Sequence, residues 1–184
     1  MIGGYSLHGH AIVSADDRIA NCDGVTPSAL RFEADWTRFQ AAIDRACLTV
    51  LGRRGHQINP NVKGRNRLVL SSNARGVERR DDAWWWNPEE APLGDALARA
   101  APDGGIVVVP GGRRVFDFFL SAGFDEFHLA RAPLVKIPGG IPIFSQVNAD
   151  ISAEQILAAN GLVPGLPEVI NPTASVDVTI WRRV

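Results

Sequence analysis

The stretch GIVVVPGGRRVFDFFLSAG, residues 105–123, constrains the fold more than any other part of the chain. Ile106 to Val109 form an unbroken apolar run, the pattern of a strand buried on both faces. Directly after it, Val115, Phe116, Phe119 and Leu120 recur at helical spacing and define one apolar helix face. A strand buried on both sides and followed at once by an amphipathic helix calls for a sheet with helices packed over it.

The same grammar repeats along the chain. Residues 5–14 (YSLHGHAIVS) read as a strand, 16–28 as a polar loop, and 33–46 as a helix with Trp36, Phe39, Ile43 and Ala46 on one face. CLTVLG (47–52), RLVLSS (67–72) and DAWWWN (82–87) read as strands, PLGDALARAA (92–101) as a helix, and FDEFHLARA (124–132) as a strand. In ISAEQILAANG, Ser152 and Gln155 make a capping box and Gly161 a helix stop. The tail ASVDVTIWRRV alternates strictly, which predicts an antiparallel strand with one solvated face. No repeat or linker interrupts the series, so a single α/β domain over residues 1–184 is expected, with a mainly parallel sheet and helices on both faces.

With 46% apolar residues and a net charge of −1, the chain reads as a soluble globular protein, neither disordered nor a general nucleic-acid binder. No apolar run approaches a membrane span, and the N-terminal stretch lacks a basic segment leading into an apolar one, so a cytoplasmic location is expected. Cys22 and Cys47 fit a reducing compartment and lack metal-ligand spacing. Cationic residues are nearly all Arg, with Lys only at 63 and 136. Genome composition explains most of these arginines.

Three strand ends stand out: LGRRGH (51–56), LSSNARG (70–76) and VPGGRR (109–114). In parallel sheets, ligands sit at the carboxyl ends of the strands. A turn needs one glycine at most. Two in front of a helix let an anion approach the backbone closely and meet unpaired N–H groups, and Arg113 and Arg114 reinforce this. The alternative is a tight strand–helix turn with no ligand. Gly52-Arg53, with Arg54 and His56, repeats the chemistry; Ser71-Ser72 adds hydroxyls. Together they fit one extended dinucleotide, although the G-x-G-x-x-G fingerprint is absent.

On four blocks in order, AIVSADDRIA, ADWTRF, LGRRGH with GRNRLVLSS, and VVVPGGRRVFDFFLSAGFDEFHLA, the sequence resembles the dihydrofolate reductase superfamily. That superfamily includes the reductase domain of riboflavin biosynthesis, and the resemblance runs from about residue 10 to residue 144. It implies a three-layer sandwich with a mainly parallel sheet, an antiparallel C-terminal strand, and NADPH as cofactor. By position it implies that Gly111, Gly112, Arg113, Arg114 and Val115 line the phosphates and nicotinamide side. Gly52, Arg53 and His56 would lie near the adenosine and pyrophosphate, and Ser71 and Ser72 near the 2′-phosphate with Arg53 as charged partner. Ile19 and Ala20 would touch the nicotinamide, beneath a mobile lid spanning residues 19–27.

The resemblance also places Asp35 where a carboxylate holds the substrate ring or relays a proton. A carboxylate facing the sheet would have its pKa raised by desolvation. The plain alternative is an acidic residue favoured by the first turn of a helix. Phe39, four residues on, would stack beside the substrate, and Arg65 would hold its anionic tail or merely cap a turn. Three departures are visible: Ser28 follows the lid's Pro27 where a Trp is usual, Phe116 replaces a Tyr, and Ala130 replaces a Thr that supports the carboxylate.

His8 and His10 share a strand face, but with no carboxylate or Cys partner evident in register, no metal site is expected. Trp84 and Trp86 face one way and Trp85 the other, which fits packing, with one side at a possible homodimer contact. Ser71-Ser72 with His56 or His128 lacks a nucleophile elbow. The expectation is an NADPH-dependent reductase acting on a small molecule, dihydrofolate or 5-amino-6-(5-phosphoribosylamino)uracil. The competing expectation is a nucleotide-binding module of the same fold without turnover.

Overall fold

The computed structural model describes residues 2–184. In chain order the elements are β1 (Tyr5–Ser14), β2 (Arg18–Ala20), α1 (Glu33–Arg45), β3 (Leu48–Gly52), α2 (Arg53–Ile58), β4 (Arg67–Leu70), β5 (Val77–Arg80), β6 (Ala83–Trp86), α3 (Leu93–Ala100), β7 (Gly105–Gly111), α4 (Arg113–Ala122), β8 (Glu126–Ala132), β9 (Ile141–Pro142), α5 (Ala153–Ala159), β10 (Leu162–Pro164), β11 (Glu168–Asn171) and β12 (Val176–Arg183). A ten-stranded sheet runs β10-β12-β8-β1-β7-β3-β4-β6-β5, and β11 pairs with the free stretch of β12. From β8 to β6 every pairing is parallel. As the alternation predicts, β12 runs antiparallel to β8.

The two faces of this sheet are filled differently. On one, Leu7, Val50, Val107, Val109 and Phe127 pack with α3, α4 and α5 into one continuous core. Val115, Phe116, Phe119 and Leu120 of α4 are all buried there, as their spacing predicts. Gly9 is required on this face: a Cβ would lie 2.3 Å from the Phe127 ring, which crosses it from the paired position on β8. The Ser152–Gln155 capping box starts α5 as predicted, with Ser152 Oγ accepting from Gln155 N and Gln155 Oε1 accepting from Ser152 N.

On the other face, only α1 and the short α2 are available. Ala42 and Ile43 of α1, with Ala46 just after it, close on Ile106 and Val108, whereas Glu33, Asp35 and Trp36 of its N-terminal half line an open cleft. The predicted burial of Trp36 is therefore corrected: it is 58% exposed. Its spacing fits the helical stripe, yet the stripe outruns the surface beneath it. Trp86 is buried and its indole N–H donates to Ala91 O, in accord with a packing role. Trp85 faces α2, meeting the His56 ring edge-on at 5.7 Å.

Candidate functional site

The incompletely covered face leaves a cleft of about 1560 Å³. It runs from β8 across β1 and β7 to β3 and α2, beneath α1 and β2. The structure brings Asp35, Phe39, Arg65, Ile19, Ala20, Gly111, Gly112 and Arg113 to this single cleft.

Asp35 lies in the first turn of α1, half-buried, and accepts no hydrogen bond among the described residues. Desolvation pushes its pKa up to about 6, with Arg38 only partly opposing the shift. Ala130, buried on β8, has no hydroxyl to offer it. Phe39 and the exposed Trp36 stand 5.9 Å apart, forming an aromatic wall beside the carboxyl. Arg65 is held from α1: its Nε donates to Asp44 Oδ1 at 2.9 Å and its Nη1 to Gln40 Oε1 at 2.9 Å. A second contact to Asp44 through Nη2 leaves two of its five N–H donors for a ligand.

The two glycine–arginine corners are neighbours, because Leu51 of β3 pairs with Gly111 of β7. Gly111 is buried at φ +93°, and a Cβ there would lie 2.2 Å from Phe116. The Gly111–Gly112 peptide is cis. Gly112 caps α4 without side-chain help, no acidic residue occupies the first turn, and a Cβ on Gly112 would point into open space. Arg53, Arg113 and Arg114 are exposed and form no ion pair among the described residues. Open backbone at a ten-residue helix N-terminus, with Arg113 beside it in the cleft lining and unpaired among the described residues, matches the chemistry of a dinucleotide's phosphates.

Other expected residues lie elsewhere. Val115 is buried beneath Gly52, where it would touch a Cβ at 3.3 Å, so it supports the corner from below and does not line it. Ser71 is buried, and its hydroxyl accepts from Asn73 N within a turn. His56 turns away toward Asp82, Arg67 and Trp85. Gly52, Arg53, Ser72 and Arg114 lie at the strand and helix ends outside the cleft lining. Arg54, which the sequence groups with Arg53 and His56, lines the cleft and donates to Asp23 O, tying the 21–26 loop onto α2. That loop also carries Asn21 N to Val25 O and Gly24 N to Asn21 O bonds, so it is held in a defined turn over the cleft.

The cleft floor holds a group that the sequence reading set aside. His8 and His10 of β1 and His128 of β8 each bring a ring nitrogen within 4.8 Å of the other two. The His10 and His128 rings stack at 4.1 Å. Burial, then the neighbouring imidazoles, push His10 down to about 3. The expectation of no carboxylate in register is corrected: His8 pairs with Glu126 and His10 with His128, so the neighbouring strand supplies both. Parallel register between β1 and β8 carries no signal in a single sequence.

No protein-family model and no protein of curated function matches the sequence. Solved structures do. A protein ascribed to riboflavin biosynthesis from Shewanella sp. PV-4 aligns with a TM-score of 0.68 at 20% identity, over 97% of this chain and 99% of that one. Dihydrofolate reductase from Enterococcus faecalis, complexed with NADP(H) and RAB-propyl, aligns with a TM-score of 0.63 at 20% identity, over 97% and 96%. The Thermotoga maritima diaminohydroxyphosphoribosylaminopyrimidine deaminase/5-amino-6-(5-phosphoribosylamino)uracil reductase aligns with a TM-score of 0.63 at 15% identity, over 98% of this chain and 57% of that longer one. The chain has the dihydrofolate reductase-like fold.

Proposed function

We propose that the protein is an NADPH-dependent reductase that adds one hydride and one proton to a pterin-like or aminopyrimidine substrate. The observation that carries this reading is the Asp35 carboxyl, which accepts no hydrogen bond among the described residues and faces the same cleft as the Gly111–Gly112 corner and Arg113. The solved complex of a similarly folded reductase with NADP(H) adds support from the fold.

Gly112, the first amides of α4 and Arg113 would hold the coenzyme phosphates, with Arg53 and Arg114 adding charge from the neighbouring corner. Ile19 and Ala20, on the β2 strap over the cleft, would cover the nicotinamide side. The bound reduced nicotinamide supplies the hydride. The chain's own residues do the rest. Trp36 and Phe39 offer ring faces to a flat heterocycle. Asp35, with its pKa near 6, is protonated often enough at neutral pH to hold or pass the proton. The remaining donors of Arg65 meet an anionic tail.

The test is consumption of NADPH, followed by its near-ultraviolet absorbance, with dihydrofolate and separately with 5-amino-6-(5-phosphoribosylamino)uracil. Turnover with one of them supports the reading and selects the substrate class. NADPH binding without turnover of either would favour the nucleotide-binding module, the reading that the missing hydroxyl at Ala130 supports.

A further inference from the structure

The three-histidine cluster has no task in the scheme above, and its surroundings are already arranged. His128 Nε2 lies 3.1 Å from Glu126 Oε2, which fixes that nitrogen as the donor and leaves the lone pair on Nδ1. His8 Nε2 is engaged by Ser6 Oγ at 2.8 Å. His10 Nε2 is buried and has no hydrogen-bond partner among the described residues. A buried ring nitrogen without a partner is uncommon and asks for an explanation. Two imidazoles stacked at 4.1 Å on adjacent strands, with a third from the same strand face, converge their nitrogens on one place.

We infer that His8, His10 and His128 bind a divalent first-row transition cation of the zinc class at the floor of the cleft. Imidazole nitrogen is the ligand type these ions take, and three such ligands with an open fourth position is a common arrangement for zinc. Glu126 acts as a positioning residue: it holds His128 and lies 3.9 Å from His8 Nδ1. Three cations face the cluster: Arg182 is paired with Glu126 and Arg38 with Glu168, while Arg45 has no ion pair among the described residues and is the one left to oppose a bound cation. All three histidines and Glu126 line the cleft, so the fourth position is reached by water or by an oxygen or nitrogen atom of a cleft ligand. This inference is independent of hydride transfer.

The experiment titrates zinc chloride into protein stripped with EDTA, by calorimetry, with cobalt(II) absorption as a second readout. The expected result is one ion per chain with a Kd of about 1 μM or tighter, and cobalt bands of a four-coordinate nitrogen site. His10→Asn and His128→Asn should each weaken zinc about 100-fold, and Glu126→Gln about tenfold. A Cys22→Ser/Cys47→Ser variant should bind as the wild type does. Circular dichroism checks that each variant folds. His8→Asn carries the test if the other two variants do not fold. Millimolar or absent binding in the wild type, binding unchanged in the folded histidine variants, or binding lost with the cysteines would overturn the site.

Discussion

Leu7, Val107 and Phe127 lie beneath three helices on one face of the sheet, and His8, Thr49 and His128 lie beneath one long helix and one short helix on the other. The same strands supply both sets by alternation. Where helices seal the sheet, the side chains are apolar and close-packed, with Phe116, Phe119, Phe124, Phe127 and Phe144 fully buried. Where the cover is thin, histidines, arginines and a carboxyl take the inward positions, and the cleft stays open. Stability and chemistry are thus divided between the faces of one sheet.

Substitutions on the two faces sharpen that division. Phe119→Ala, on the sealed face, should cost about 3–5 kcal/mol in unfolding free energy, measured by urea denaturation. A loss below about 1 kcal/mol would mean that this face is not the main source of stability. On the open face the trade runs the other way. Asp35→Asn should lower kcat about 100-fold with the substrate that turns over. The wild-type rate should fall as pH rises past about 6, where the Asp35 proton is lost, and the variant should lack this fall. Ionising Asp35 in the folded protein is disfavoured, so its cost to stability is absent below pH 3.8 and complete above about pH 6. The same variant should therefore be more stable than the wild type at about pH 8, by about 1–2 kcal/mol after allowance for solvent screening, and equal to it at about pH 3.

Smaller effects probe the corner between the faces. Gly112→Ala meets no neighbour, so its melting temperature should match the wild type while its Kd for NADPH rises about tenfold. Equal affinity would remove that backbone from the coenzyme site. Arg53→Ala should weaken NADPH several-fold more than NADH, and equal losses would count against a 2′-phosphate contact. Trp36→Ala should change stability by less than about 0.5 kcal/mol and raise KM, because the ring packs on little and faces the cleft.

The sealed face was the legible one. Apolar runs and helical stripes are local, so β1, β7, α4 and the α5 capping box could be read directly. The short strands β2, β5 and β9 lack the apolar runs that mark the equally short β4 and β6, and the six-residue α2 has no apolar stripe. The resemblance located Asp35, Phe39, Arg65 and the diglycine, and all of them line the cleft. Val115, Ser71 and His56 instead make contacts within the protein, because side-chain direction depends on packing that no motif encodes. The histidine cluster depends on strand register between residues more than a hundred positions apart, and only the folded sheet reveals it.

In the proposed function, the thinly covered face holds a phosphorylated nicotinamide coenzyme against the diglycine corner. Calorimetric titration of NADPH into the wild type and into Arg113→Glu tests it most directly. One site per wild-type chain with a micromolar Kd is expected, and at least a tenfold weaker site after the charge reversal. No heat from the wild type, or identical isotherms for the two proteins, would contradict it.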